Sequence, residues 1–297
     1  MAFKPCSVHQ KLELVKIMTK YYVGGQALIE GVMMKYKDNI AIAVRKKNGK
    51  IAVKKEKLKI KDSKIPFWRG IINLFVILYI GIKALNYSSN MQLGKEEKIS
   101  TKEMVFSIAF AVILAIVLFK FLPLLLTTII NRAANVNNIL FNFIDGIIKI
   151  VLFVGYIYLI SLNKEVYRVF QYHGAEHKAV ACHENKKKLT VEETQKFSTI
   201  HKRCGTTFVF LVLFISIIVY LFIPKNYNFA TKLGLRIILL PVIASISYEI
   251  LRLGARFSFL KALILPGLLI QKITTKEPDN KQVQVAIKAL KAAVDHA

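Results

Sequence analysis

The sequence predicts a mainly α-helical, polytopic membrane protein with about four transmembrane helices, one or two interfacial or re-entrant helices and a small N-terminal β-hairpin. Composition is the first indication, since 54% of the 297 residues are hydrophobic and the mean hydropathy is +0.43. The second is charge: 44 Lys and Arg against 18 Asp and Glu, a net +26, lie in segments that interrupt or flank the apolar runs. The third is run length, because four runs approach or exceed the roughly 18 to 20 apolar residues that cross a bilayer.

The four apolar windows cover residues 104–130, 139–162, 206–223 and 233–251. Two further apolar stretches are weaker. Residues 71–85 are interrupted by Lys83, and residues 257–270 are short and broken by Lys261 and by Pro266-Gly267. We expect both stretches to lie in the interface or to re-enter the membrane.

The distribution of basic residues favours a membrane topology with both termini cytoplasmic. If 71–85 does not span, the basic N-terminal region, the linker 88–103, the loop 163–205 and the C-terminal tail share the cytoplasmic side. If it does span, the basic loop 163–205 moves outside, against the positive-inside rule. We therefore prefer four spans, and whether 71–85 spans stays open.

This topology divides the chain into four regions. They are a basic cytoplasmic N-terminal region with the hairpin (1–66), an interfacial or re-entrant helix and linker (67–103), a transmembrane bundle with a metal-site loop at 163–205 (104–271), and a cytoplasmic C-terminal tail (272–297).

The hairpin is predicted from NIAIAVRKKNGKIAVKKE at 39–56, two alternating runs joined by Asn48-Gly49, a pair that suits a type I′ turn. Ile40, Ile42 and Val44 would share an apolar face, and the lysine-rich side would face water or lipid headgroups. Upstream, residues 24–34 contain paired glycines and the lone carboxylate of Glu30, without the spacing of a nucleotide-binding loop.

The pattern of basic residues and the number of cysteines argue against two classes of protein. The basic residues are not interleaved with stacking aromatics, so no nucleic-acid partner is expected. The odd number of cysteines, Cys6, Cys182 and Cys204, fits a reducing compartment and not a disulfide framework. The N-terminus has no apolar core or cleavage site typical of a secretory signal. The expected partner is the lipid bilayer, and the sequence indicates no oligomeric state.

The candidate metal ligands lie in a cluster of histidines and cysteines. Residues 171–204 contain two of the three cysteines and four of the six histidines, namely His173, His177, His183 and His201. Within it, His-x-x-Glu-His would place His173 and His177 one helical turn apart, able to bind one metal ion. Glu176 beside them is the natural general base for a water molecule activated by a catalytic zinc.

The spacing does not fix the third metal ligand. Glu249 ranks first, because a carboxylate at a membrane edge is costly without a role. His201 and Cys204 come next, then His183 and Glu30. A closed structural zinc site built from Cys182-His183 and His201-x-x-Cys204 is the alternative, although adjacent Cys and His match finger spacing poorly.

Other charges fall inside or beside the apolar windows. Asp145 and Lys149 are four residues apart and could pair within the bundle. Lys120 and Arg236 are expected to snorkel and are assigned no chemistry. Arg252 follows Glu249 and satisfies the positive-inside bias, and it could also hold an anionic substrate group.

Four sequence blocks point to a known family: GGQALIEGVMMK (24–35), YHGAEHKAVACHE (172–184), HKRCGTTF (201–208), and Gln271 with TTKEP (274–278). With these blocks, which extend over nearly the whole chain, the protein resembles the bacterial YqhQ-like family of multi-pass membrane proteins. The resemblance implies a metal-dependent enzyme but no particular substrate. It also puts six residues in the signature blocks: Glu30, His173, Glu176, His177, His201 and Cys204.

The leading interpretation is a metal-dependent hydrolase embedded in the bacterial plasma membrane, in its most concrete form a peptidase, with its site at the cytoplasmic membrane edge. Zinc is the expected cofactor, and a membrane protein or a peptide is the expected substrate. The alternative is a non-enzymatic membrane factor whose structural metal site supports binding to another membrane complex or the ribosome. A metal transporter is less favoured, because the ligands cluster in a loop and not at the bilayer midplane.

Overall fold

The computed structural model of the chain describes residues 23–58, 65, 67–93, 100–254, 257 and 261–295. It is mainly helical with an N-terminal antiparallel sheet, so the predicted fold class is confirmed. Residues 1–22 with Cys6, and residues 94–99 of the predicted linker, lie outside the described residues.

The N-terminal sheet has four strands in the order β1 (Gly24–Leu28), β2 (Gly31–Tyr36), β3 (Asn39–Arg45) and β4 (Ile51–Lys57), each antiparallel to the next. The predicted hairpin is the β3–β4 pair. Its turn differs from the prediction: Gly49 has φ 80°, whereas Asn48 is not at positive φ. A type I′ turn needs positive φ at both central residues. The observed turn is therefore a hairpin loop of more than two residues, with glycine in the left-handed position.

The helices are, in chain order, α1 (Trp68–Gln92), α2 (Thr101–Ile116), α3 (Leu122–Ala134), α4 (Asn138–Ser161), α5 (Lys164–Glu184), α6 (Val191–Gln195), α7 (Gly205–Tyr220), α8 (Phe229–Ile238), α9 (Leu240–Gly254), α10 (Lys261–Thr274) and α11 (Asn280–Val294). A π-helical segment, Val117–Phe121, joins α2 to α3.

Three helices are long and apolar enough to cross a membrane, and a fourth span arises if the bent pair α8–α9 counts as one. The three are Trp68–Gln92, Lys102–Ala134 and Asn138–Ser161, and the bend between α8 and α9 is 42°. Helix α7, from the predicted window 206–223, is shorter. The segment 71–85, which we expected in the interface, lies within α1, and α1 has the length and composition of a span.

The sheet is covered on both faces. Ile40, Ile42 and Val44 pack against α1 through Val76 and Ile80. The opposite face packs against α5 and α11 through Val32, Met34, Ala41, Ala43, Tyr172, Ala286 and Leu290. The predicted lysine-rich water-facing side is therefore wrong for β3, whose alternate residues are alanines. Within the β3–β4 hairpin strands the exposed positions are confined to β4.

The last helix, α11, lies within the segment predicted as a tail. Asp279 and Gln282 form a capping box at its start. Val283, Ala286 and Leu290 are fully buried. The C-terminal segment thus completes the core of the N-terminal sheet.

In the membrane bundle, α7 packs against α4, α9 and α10. Phe210 and Leu213 of α7 lie in a cluster with Phe153, Ile157 and Ile270. Helix α5 follows α4 after a short link and leaves the bundle toward the sheet. The start of α7 and the middle of α5 are thereby brought together.

Candidate metal centre

Helix α5 carries the His-x-x-Glu-His motif and is stabilised locally at its start. Asn163 caps it by accepting hydrogen bonds from the backbone N–H groups of Glu165 and Val166. Glu165 lies in the first turn, where the helix dipole favours negative charge. His173 and His177 lie one turn apart, with ring centroids 4.4 Å from each other.

The third member of the site comes from the start of α7. Cys204 is the N-cap residue, and its Sγ accepts a hydrogen bond from the Thr206 N–H at 3.4 Å. The same Sγ lies 3.3 Å from Nε2 of His173. Within the described ranges, His173, His177 and Cys204 form the one group of three potential metal ligands, with all donor atoms within 4.8 Å of one another.

Both imidazoles are oriented by backbone carbonyls. Nδ1 of His173 lies 2.9 Å from the Thr274 oxygen, and Nδ1 of His177 lies 2.5 Å from the Thr199 oxygen. A carbonyl only accepts, so each Nδ1 carries the proton and each Nε2 keeps its lone pair, as in metal-binding histidines. Burial also lowers the pKa of His177, against the effect of its hydrogen bond to Cys204, and favours the neutral ring.

Gly174 permits this carbonyl arrangement. A Cβ at Gly174 would collide with the backbone oxygen of Lys276 and would lie 3.1 Å from the side chain of Thr199. The Phe170 carbonyl accepts a hydrogen bond from the Lys276 N–H at 2.9 Å, which holds the segment after α10 against α5. The glycine therefore allows the close approach that brings Thr274 to His173.

The donor set fits zinc. Zn–N bonds of about 2.0 to 2.1 Å and a Zn–S bond of about 2.3 Å place tetrahedral ligand atoms roughly 3.3 to 3.6 Å apart. The 3.3 Å between Cys204 Sγ and His173 Nε2 is slightly shorter than the roughly 3.5 Å of such an N–S pair, and all three ligand atoms lie within 4.8 Å of one another. Two imidazoles and one thiolate would leave the fourth position for water or substrate.

Glu176 is buried against strand β1. A Cβ on Gly25 would lie 2.8 Å from its carboxylate carbon, so the glycine makes room for it. Burial raises the pKa of Glu176 to about 7, although His173 acts in the opposite direction. A carboxyl group that titrates near neutrality suits proton transfer in both directions.

A cavity of about 360 Å³ reaches the three candidate ligands and Glu176. It lies between the β1–β2 edge, α1, α5, the start of α7 and α9. Most of its remaining wall is apolar, with contributions from Leu74, Ile77, Val180, Phe208 and Leu251. The candidate ligands and Glu176 therefore face a cavity whose wall is largely apolar.

Glu249, the first choice for the third ligand, lies apart from the group of three. Its Oε1 accepts hydrogen bonds from Arg69 Nε at 2.6 Å and from the Phe67 N–H at 3.3 Å. Its other oxygen also pairs with Arg69. The carboxylate is therefore satisfied by α1, and Arg252 one turn later is exposed. The geometry favours Cys204 over Glu249.

His201 lines the cavity but does not join the group of three. Its Nε2 lies 3.4 Å from Oε2 of Glu184, and its Nδ1 accepts from the Arg203 N–H at 3.4 Å. Its ring centroid is 5.6 Å from that of His177. His201 thus lies beside the candidate ligands and is not one of them.

The remaining candidates are placed elsewhere. Glu30 binds Arg168 through both oxygens, at 2.6 and 2.7 Å, and accepts from the Tyr172 hydroxyl at 3.1 Å. Cys182 is buried, with Sγ 3.6 Å from the Lys188 oxygen. His183 lines a separate lysine-rich surface with Lys186, Lys187 and Lys188. The structure does not bring Cys182 and His183 into a closed site with Cys204.

Several residues that shape the site were missed by the sequence analysis. Gln271 binds the His201 backbone in both directions, each at 2.9 Å, and donates to the Thr207 hydroxyl at 2.8 Å. The one sequence feature that could have identified Gln271 is its place in a signature block. Thr199 and Thr274 contact the histidines through backbone carbonyls, so the spacing of side chains in the sequence does not indicate their role.

Comparison with known proteins identifies the family of the chain. The chain is 36% identical over 289 residues to the uncharacterized protein YqhQ of Bacillus subtilis (strain 168), covering 90% of each. No solved structure matches it. A family model described as "Protein of unknown function (DUF1385)" matches residues 65–296. The chain therefore belongs to the DUF1385 family, as its resemblance to the YqhQ-like proteins predicted.

Proposed function

We propose that the protein is a membrane-embedded, zinc-dependent hydrolase. The observation that carries the proposal is the convergence of His173, His177 and Cys204 at a cavity that Glu176 also lines. A closed structural zinc site has four protein ligands, whereas a catalytic site has three and an open position. The group of three thus favours catalysis over a structural role.

Zinc bound here would supply Lewis acidity, lowering the pKa of water and polarising a substrate carbonyl. Glu176 would accept the proton of the attacking water and deliver it to the leaving group. The apolar walls would exclude bulk water and strengthen these interactions. Thr274 and Thr199 would keep both imidazoles in the ligating tautomer.

A peptide segment is the proposed substrate. Strand β1 is at the edge of the sheet, and its Gly24 and Gly25 line the cavity. An extended chain can add to a sheet edge by backbone hydrogen bonds, which would present a carbonyl to the metal. The apolar wall from α1 fits a segment of a membrane protein, and the positive-inside bias favours the cytoplasmic membrane edge for this chemistry.

The test measures zinc and hydrolysis on the same purified protein in phospholipid nanodiscs. The probe is a pool of fluorescence-quenched peptides with apolar flanks, and zinc is counted by elemental analysis. We expect Glu176→Gln to keep about one zinc and to lose roughly 10²- to 10⁴-fold in turnover. His177→Ala should lose both.

Glu165→Gln is the matched control, because it makes the same change on the same helix away from the site. It should keep zinc and turnover. Equal turnover by Glu176→Gln and the wild type would overturn the hydrolase. The partner-binding alternative would then be supported by a cellular phenotype that is sensitive to His177→Ala and insensitive to Glu176→Gln.

A further inference from the structure

A second polar cluster lies in the membrane bundle, near the end of α7 opposite Cys204. It contains Lys120, Asp145, Lys149, Lys232 and Arg236, whose exposed fractions are 7, 0, 0, 5 and 0%. Helix α7 has 16 residues, so the two ends are about 24 Å apart at 1.5 Å per residue. This cluster is therefore separate from the metal centre and is not used by the proposed hydrolase.

Tyr220, at the end of α7, is the centre of the cluster. Its hydroxyl accepts a hydrogen bond from Lys120 Nζ at 2.9 Å and donates to the Arg236 carbonyl at 2.9 Å. Lys149 Nζ lies 4.4 Å from the ring centroid, and the Arg236 guanidinium carbon lies 5.1 Å from it. Several cations are thus gathered around one aromatic side chain.

The cluster carries more positive than negative charge. Asp145 accepts from Lys149 at 2.5 Å and from Arg236, and it is the single acidic residue of segments 104–162 and 206–248. Lys120 and Lys232 have no carboxylate partner among the described contacts, and Lys232 donates to the Lys225 carbonyl at 3.1 Å. Four cationic side chains therefore share one carboxylate. Buried charge of this kind is costly unless it is compensated.

Arg236 also has a donor without an acceptor. Its guanidinium binds Asp145 and, at 3.1 Å, Asn142, but its Nε has no hydrogen-bond partner although the side chain is fully buried. Buried donors are nearly always satisfied by protein, water or a ligand. The unsatisfied Nε thus points to an acceptor from outside the chain.

Local helix geometry brings Lys120 to the cluster. It lies in the π-helical segment Val117–Phe121, between α2 and α3. π-Helical segments are rare overall, and those that occur are often found at functional sites. An apolar span would be more stable without a lysine turned inward.

We infer that this cluster binds a phosphate-bearing anion. Guanidinium and ammonium groups are the usual phosphate-binding side chains, and a phosphate would both offset the excess positive charge and accept from Arg236 Nε. Its source is either an anionic phospholipid headgroup, from the bilayer around these helices, or free phosphate. The chemistry is the same for both.

The experiment uses the full chain purified in detergent, with thermal unfolding and native mass spectrometry as readouts. Phosphatidylglycerol, phosphatidylcholine and inorganic phosphate are added separately. We expect the unfolding temperature to rise with phosphatidylglycerol or inorganic phosphate, beyond any rise with phosphatidylcholine. A response to phosphatidylglycerol alone identifies a lipid, and a response to inorganic phosphate alone identifies a soluble anion.

Lys120→Met is the informative variant, because it leaves the Asp145, Lys149 and Arg236 contacts in place. It should bind the responding anion about tenfold more weakly or worse, as expected for loss of a charged contact. Arg132→Gln removes an exposed charge at the end of α3 and should behave as wild type. No anion response in the wild type, or an equal response in Lys120→Met, would overturn the inference.

Discussion

The candidate metal centre and the cation cluster lie near opposite ends of α7, and they differ in how their polar groups are satisfied. At the candidate metal centre His173 and His177 each have a carbonyl partner, and the three potential ligand atoms lie within 4.8 Å of one another. In the cation cluster one carboxylate serves several cations, and Arg236 retains an unsatisfied donor. The first site gathers groups that could hold a metal cation, and the second has an excess of cationic side chains, on which the proposal of an anion rests.

Removing the carboxylate of Asp145 from the cation cluster is the most severe test of this difference between the two sites. Asp145→Asn leaves Lys149 and Arg236 without their buried counter-charge, so we expect a loss of about 3 to 5 kcal/mol in the free energy of unfolding. The measurement is thermal or denaturant unfolding in detergent, with zinc content measured in parallel. Zinc should be retained, because the metal centre is at the other end of α7.

The control for this change is Glu192→Gln, which alters an exposed carboxylate on α6 and should stay within about 0.5 kcal/mol of the wild type. Wild-type stability in Asp145→Asn would show that the carboxylate does not compensate the cations.

The third metal ligand is tested by comparing Cys204→Ala with Glu249→Ala. Loss of one of three ligands should weaken zinc binding by at least about 100-fold, more than second-shell changes do. Glu249→Ala should bind zinc as the wild type does, because Glu249 pairs with Arg69. Zinc titration against a competing chelator measures both. The reverse result would restore Glu249 as the ligand.

A smaller effect is expected where the backbone supports the site. Gly174→Ala should push the Lys276 carbonyl away and loosen the Thr274 contact to His173. Changes to such supporting contacts cost about 10- to 100-fold in metal affinity. Gly155→Ala is the control, since a Cβ there meets nothing within 4 Å. Equal zinc affinity in both variants would contradict the positioning role of Thr274.

The smallest effect is expected for Arg168→Ala. Partial burial would raise the pKa of Glu30, but Arg168 outweighs it and holds that pKa below its usual 4.5. The stabilisation is therefore present above pH 4.5 and is lost as the pH falls through the lowered pKa. Because Arg168 is half exposed, we expect at most about 1 kcal/mol. The free energies of unfolding of Arg168→Ala and the wild type are compared at pH 7 and at pH 3.5. A difference between the two proteins that grew on acidification would exclude this pairing.

The two sites also differ in how far the sequence could predict them. His173, Glu176 and His177 lie on one helix, so their juxtaposition follows from helical periodicity. Cys204 joins them only because α7 starts beside α5. Glu249 ranked above it because a carboxylate at a membrane edge is costly without a role. Its actual partner, Arg69, is 180 residues away in sequence, so local patterns did not reveal the pair. The cation cluster was predicted only as the local pair of Asp145 and Lys149, since Arg236 is 91 residues from Asp145.

How well the fold could be predicted also depends on how far apart in sequence the contacting residues lie. The β3–β4 hairpin has alternating residues and a turn signal, and it was predicted. Strands β1 and β2 contain glycines and no clean alternation, and β2 is buried on both faces, so the usual strand pattern is absent. The ordered structure of 280–294 depends on a surface about 240 residues earlier in the chain, which local patterns do not reveal.

The packing of α11 on the N-terminal sheet sets an order for biosynthesis. The sheet is synthesised before Val283, Ala286 and Leu290, which complete its core. The Thr274 carbonyl that orients His173 is likewise synthesised after the sheet and after His173. The hydrophobic helices therefore enter the bilayer before the candidate metal centre can assemble. A chain terminated prematurely before residue 274 would be inserted in the membrane without the carbonyl that orients His173.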